Sequence, residues 1–355
     1  MTMTGTARTR PVLAALMLLV LVWLLAGSVN AVGTADPRLS LKSPLQLSDA
    51  DLAALLEGTP VAKTLTASAS REMTTVGGIR IRSGMARFVE QFKTLEGFRT
   101  SQFVLQIEKF GQTPRLSDLD KLTLEPDDFE SLRTCRVGDC DVQLSADDIN
   151  RLAQVSWKSA TAAQEAAVVY RAILFDHLAR YRAGGTKSLL HYQDREPSVS
   201  LADETESLVE ARPSLLDDAP PIRDLIRTYP HGTDPQTQEF FYWVKEAFGF
   251  KPVVSLNHTR VHTDATTGRV TIVTTQIYAS HYMEGSLSIS ALVPAPSASD
   301  GSAFYWAYAN RARVGRLSGV LGVLARPIMQ RRARSGLLKS LLQTRQRFEA
   351  AGSVP

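Results

Sequence analysis

The chain has 355 residues, 44% of them hydrophobic, with 40 Lys or Arg against 36 Asp or Glu and a formal net charge of +4. That is ample apolar material for a core, which excludes a chain too polar to fold, and the length admits one large domain or two ordinary ones. The small net charge hides a split: from Arg311 to the end, ten Lys or Arg residues face a single acid, Glu349, so an acidic body bears a basic tail.

Residues 1–31 read as an export signal. Arg8 and Arg10 precede an apolar run from Pro11 to Gly27, Val29 and Ala31 offer a cleavage site, and no acid occurs before Asp36. The run falls just short of the roughly 20 residues that span a bilayer, so an uncleaved N-terminal anchor is the other reading. No second stretch is long and apolar enough to cross a membrane. The expected location is outside the cytoplasm, periplasmic or secreted.

Residues 32–144 form an N-terminal α+β part. "LSDADLAALLEG" starts at Ser48, an N-cap, and stops at Gly58. "REMTTVGGIRIRS" is extended, "GMARFVEQFKTLEGF" an amphipathic helix and "SQFVLQIEKFG" a strand, a β-α-β order. Pro126 sits at a first helical position and leads into "CRVGDC", whose Cys135 and Cys140 are the only cysteines. An exported chain meets an oxidising compartment, so a disulfide is expected, closing a loop worth roughly 2 kcal/mol. C-x-x-C redox and haem spacings are absent.

Residues 145–250 read as mainly helical. Ser145 and Asp148 open one helix in capping-box fashion, and "TAAQEAAVVYRAILFDHLARYRAGG" makes a long one ending at Gly184-Gly185. His177 on this helix reads as packed or surface, not as a ligand. The acidic, proline-bearing stretch from Leu201 to Tyr229 holds two short helices, and "DPQTQEFFYWVKEAFGF" a further helix from Asp234 to about Phe248.

Residues 251–355 give four strands and a helix. Val253–Thr263, "RVTIVTTQIYASH", "SLSISALVP" and "AFYWAYANRAR" are β-rich, the first two joined by the "DATTG" turn. A long basic helix follows from Gly315 to Phe348, its leucines at spacings of three and four. Pro327 predicts a kink or two segments there.

Within the first of these strands, "NHTRVH" places His258, Arg260 and His262 on one face. On a strand the two histidines stand about 13 Å apart, too far for one ion, and no familiar ligand motif supplies others. No metal or cofactor is expected. G-x-S-x-G, the phosphate-binding loop and G-x-G-x-x-G are missing as well. If the sheet is solvated on that face, the row is ordinary surface. If it curls round a cavity, the row supplies polar handles, joined by Tyr278, His281, Tyr282, Phe304, Trp306 and Tyr308 from neighbouring strands. Arg326, Arg331, Arg332 and Arg334 on the terminal helix would touch an anionic membrane surface, or simply form a solvated face. The compartment argues against nucleic acid as a partner.

The stretches "SHYMEGSLSISALV" and "FYWAYANRARVGRLSGVLGVLARPIMQRR", with the leucine-rich helix after them, resemble the end of a START-like helix-grip domain. "CRVGDCDVQL" and "FFYWVKEAFGFKP" resemble segments of exported bacterial proteins of unknown function. The helix-grip resemblance covers under a third of the chain. It implies an α+β fold in which an antiparallel sheet curves around a long C-terminal helix, here with a helical insertion in mid-chain. The function it implies is the non-enzymatic holding of a lipid or other apolar small molecule. Two readings from other classes stand beside it: an extracytoplasmic hydrolase using the sheet histidines, and a structural or interaction protein with a filled interior.

Overall fold

The computed structural model of the chain describes residues 37–66, 71–95, 101, 103–247, 251–295, 303–315 and 319–350, with the side chains of 37–39 and 319–325 excepted. Residues 1–31, which the sequence suggests as an export signal, lie outside the described residues. Helix starts follow the side-chain chemistry. α1 spans Pro37–Lys42, and α2 spans Asp49–Leu56, opened by Ser48 and Asp51, which cap each other's backbone N–H groups at 3.1 and 3.0 Å. β1 (Val61–Leu65), β2 (Glu72–Ile81), α3 (Met85–Lys93) and β3 (Val104–Lys109) follow. The helix α4 (Pro126–Thr134) begins at Pro126 as its sequence predicts, and the Cys135–Cys140 disulfide closes the loop after it. α5 (Ala146–Ala153) repeats the reciprocal cap with Ser145 and Asp148, and α6 (Ala162–Gly184) is the long helix.

A two-residue strand pair, β4 (His191–Tyr192) and β5 (Val199–Ser200), precedes α7 (Leu201–Glu210) and α8 (Pro220–Thr228). The segment read as a helix from Asp234 is instead the strand β6 (Thr237–Glu246). Its position explains the misreading, because β6 lies between β3 and the next strand with both faces covered. Phe240, Tyr242 and Val244 then alternate with Phe241 and Trp243, all of them buried. Doubly covered strands lose the polar alternation that marks a strand. Phe248 lies outside the described residues. The mid-chain helices therefore end at Thr228.

The last four strands form as expected: β7 (Val253–Thr263), β8 (Val270–Ala279), β9 (Met283–Pro294) and β10 (Phe304–Val314). After them runs α9 (Gly319–Ala350), one continuous helix with Pro327 inside it instead of two segments. Eight strands make one antiparallel sheet in the order β1-β2-β10-β9-β8-β7-β6-β3, so β2 and β3, predicted as one β-α-β unit, end up far apart.

Both faces of the sheet are covered. On one, α1, α2, α7 and α8 pack over β1, β2, β9 and β10, while α4, α5 and α6 pack over β6, β7 and β8. Buried charges tie α7 down: Arg313 of β10 meets Glu72 of β2 at 2.8 Å and Glu204 of α7 at 3.0 Å. The opposite face receives α3 and α9, with Phe88, Leu341 and Phe348 packed among Ile79, Ile81, Phe304 and Trp306. A Cβ on Gly77 would come within 2.9 Å of Leu337, so glycine is what lets α9 lie this close to β2.

Candidate functional site

Register decides which predicted residues meet. Pairing of Thr259 with Thr274, Thr274 with Ser288 and Ser288 with Asn310 puts these four on the α9 face. His258, Arg260 and His262, one position away in β7, therefore point to the α6 face. They are buried there. The His258 imidazole has Nδ1 at 3.1 Å from the Tyr181 hydroxyl and Nε2 at 3.0 Å from Glu239, and the Phe241 ring lies 4.2 Å away. Burial, reinforced by the charge of Arg260, lowers its pKa to about 3. The ring is therefore neutral: Nε2–H donates to the Glu239 carboxylate and Nδ1 accepts from Tyr181. The Arg260 guanidinium sits 5.0 Å over the Tyr229 ring. His262 bonds Asp234 at 2.9 Å, and Tyr278 meets the Tyr170 hydroxyl at 3.1 Å. These four predicted residues are packed against helix and loop side chains.

His281 and Tyr282 occupy the turn between β8 and β9. They border a cleft of about 200 Å³ together with Asp139, Asp141, Asp194 and Arg195. His281 Nδ1 donates to the Asp141 carbonyl at 2.8 Å, which leaves Nε2 as the acceptor, and burial lowers its pKa. The described lining of this cleft carries no serine or threonine, and its Cys140 is held in the disulfide, so His281 has no hydroxyl of serine or threonine and no free thiol beside it to activate.

Phe304, Trp306 and Tyr308 stand on the α9 face. Phe304 and Trp306 pack on Phe88, with ring centroids 5.5 and 5.2 Å away, and the indole N–H donates to Ser290 at 3.0 Å. Beyond them the face turns polar. Tyr308 and Ser288 hydroxyls lie 3.3 Å apart, Asn310 donates to Ser286 and Ser288 at 3.0 and 2.8 Å, and Thr259 and Thr274 meet at 2.8 Å. Along β8, β9 and β10, away from their ends, partial exposure is confined to this patch. Thr274 is the sole position of β8 that is not buried, Tyr308 and Asn310 are the only two in β10, and Ser286 and Ser288 are the two away from the ends of β9. Residual exposure at consecutive cross-strand neighbours, within strands otherwise sealed on both faces, marks a solvent-reachable recess beside α9.

Glu246 of β6 opens onto the same face. Its side chain keeps partial exposure, yet burial raises its carboxyl to about 7. A recess walled by protein produces that combination. The carboxyl interacts electrostatically with the phenols of Tyr242 and Tyr308, both shifted upward by burial. Sequence reading missed Glu246, Tyr242, Thr274, Ser288 and Asn310. Alternation in "SLSISALV" marks Leu287, Ile289, Ala291 and Val293 as one face, and nothing in the sequence tells what the serine face meets.

The nine pocket candidates thus divide among the α6 face, the β8–β9 turn and the α9 face. Of the four arginines proposed for membrane contact, Arg331, Arg332 and Arg334 are exposed. Arg326 is half-buried and donates to the Glu72 carbonyl, and Arg334 also donates to that of Ala62 at 2.9 Å. Among the described residues no helix is long and apolar enough to cross a membrane. The disulfide is the pairing that an oxidising, extracytoplasmic compartment favours. Compared with known proteins, the chain matches no family model, no curated protein and no solved structure.

Proposed function

We propose that this chain is an exported, non-enzymatic binding protein of the bacterial envelope that holds a lipid or other apolar small molecule between the sheet and α9, in the manner of a helix-grip domain. The observation that carries the reading is the partial exposure that β8, β9 and β10 keep, away from their ends, at Thr274, Ser286, Ser288, Tyr308 and Asn310 on the α9 face, joined by that of Glu246 at the end of β6. That polar patch adjoins an apolar one made by Trp306, Phe304, Leu292 and Ile272, the two-part lining an amphiphile needs. A cavity of this kind requires the sheet to curve about α9. Contacts to the helix support it from both ends of the strand order: Gly77 of β2 lies beneath Leu337, while Phe103, just before β3, lies 4.0 Å from a Cβ built on Gly336.

Native mass spectrometry of protein taken from its own envelope tests the reading. A bound lipid mass is expected, and it should vanish in Ser288→Leu, which fills the recess without removing a core side chain. Truncating Trp306 is a poorer test, because its ring supports Phe88. An empty wild-type protein that also leaves an uncharged fluorescent apolar probe unbound overturns the reading.

A further inference from the structure

The polar end of the recess has a sign. Apart from Glu284 at the β9 bulge, whose carboxylate is paired with Arg71 and Arg195, the α9 face of β6–β10 carries one acid, Glu246, and no Lys, Arg or His among the described residues. The remaining polar groups there are hydroxyls and amides: Ser255, Asn257, Thr259, Thr274, Gln276, Ser286, Ser288 and Asn310. Lys109, which lies on this side of the edge strand β3, is turned away, with its ammonium 4.2 Å over the Phe240 ring and bonded to the Lys93 carbonyl. Glu246 itself has no hydrogen bond or ion pair to its carboxyl among the described residues. Its cross-strand neighbours are Val104 and Val253, and the titratable groups it feels are the phenols of Tyr242 and Tyr308. Both stay uncharged through the neutral range, because burial raises them.

A carboxylate held in so dry a place without a counter-ion is costly, and a ligand cation would offset that cost. The neighbouring rings favour the same ligand. Tyr242 and Tyr308 share the face of the carboxyl and feel its charge, with the Trp306 ring 6.3 Å from that of Tyr308, and aromatic faces attract ammonium groups most strongly where water is excluded. We propose that the recess selects amphiphiles whose polar end is an alkylammonium group, with Glu246 as its counter-ion and Tyr242 and Tyr308 as its aromatic walls. The inference rests on the carrier reading and narrows it. An anionic head would meet a carboxylate with no base beside it on the strand face, and a neutral head would forgo the ion pair.

Three probes with one chain length separate the possibilities: decyltrimethylammonium, 1-decanol and decyl sulfate, titrated calorimetrically at pH 8 below their micellar concentrations, with the fold monitored by circular dichroism. The ammonium compound is expected to bind at least tenfold tighter than decanol, and the sulfate weakest. Glu246→Gln should remove that tenfold advantage while leaving decanol within twofold. In the wild type, ammonium affinity should climb between pH 5 and pH 8 and decanol affinity should stay flat, a readout that needs no variant. Equal affinity for decanol and the ammonium probe, or an advantage that survives Glu246→Gln, overturns the inference and leaves the carrier reading standing. Failure of all three probes to bind overturns both.

Discussion

A buried Glu246 and a buried His258 give the stability of this protein two opposing dependences on pH. The folded-state pKa of Glu246 lies above its usual value, at about 7, so the folded chain holds a proton that the unfolded chain has released. Its contribution is fully present below the ordinary glutamate pKa and is lost as pH rises through 7, about 3 kcal/mol in all. Denaturant unfolding at pH 4.5 and pH 8 should show Glu246→Gln unchanged at the lower value and more stable than wild type at the higher. His258, held neutral with its pKa lowered to about 3, acts in the other direction. Its contribution is complete above the ordinary histidine pKa and falls away as the medium becomes acid, by roughly 2 kcal/mol between pH 7 and pH 5. His177, lowered to about 3 by the same burial, adds to that acid limb. In His258→Gln the change in stability between pH 7 and pH 5 should differ from that of the wild type by about those 2 kcal/mol, in the direction of a smaller loss on acidification. An unchanged slope would mean that Glu239 stabilises a protonated ring in the fold.

At the scale of elements, punctuation was legible and pairing was not. Ser48, Ser145, Pro126 and Gly184 announced four helix boundaries, because caps and proline act within one turn of the chain. The four C-terminal strands were readable from their β-branched runs. β6 was not, since a strand covered on both faces shows no polar alternation. β1 escaped as well, being five residues of mixed polarity at the sheet edge. The seat of α9 depends on a single residue type. Any side chain at Gly77 would press on the Val61 carbonyl at 2.6 Å and on Leu337 at 2.9 Å, whereas one at Gly78 meets its nearest neighbour, Leu55, at 3.2 Å. Gly77→Ala should therefore lower the unfolding free energy by about 2–3 kcal/mol, an overpacking cost, and Gly78→Ala by clearly less. Reduction of Cys135–Cys140 should lower the melting temperature by only a few degrees, since so short a loop restricts the unfolded chain little.

For the molecule as a whole, the sequence offered a row of histidines, and the fold placed the accessible surface elsewhere. A strand reveals which of its own residues share a face. Which face of a neighbour they join depends on register, and register is fixed by turns and by covering helices that lie far away in the chain. Hence Tyr308 and Trp306 could be chosen from sequence, while Glu246, sixty residues earlier and across three strands, could not. The basic tail, by contrast, was visible in composition, and the fold gives it a direction. Arg331 and Arg332 are exposed on α9 near Ile328, which is itself 58% exposed, so apolar and basic surface lie together on the helix that bounds the recess. A carrier that loads from a bilayer would use such a face to sit on anionic headgroups, each arginine near the surface adding about 1 kcal/mol. Sedimentation with vesicles containing 30% phosphatidylglycerol checks this. Binding should weaken by an order of magnitude or more in Arg331→Glu/Arg332→Glu, weaken with added salt, and be absent with purely zwitterionic vesicles. Arg334→Glu would confuse the result, because Arg334 also holds the Ala62 carbonyl of β1. Equal sedimentation of the double variant and the wild type would assign the arginines to solvation alone.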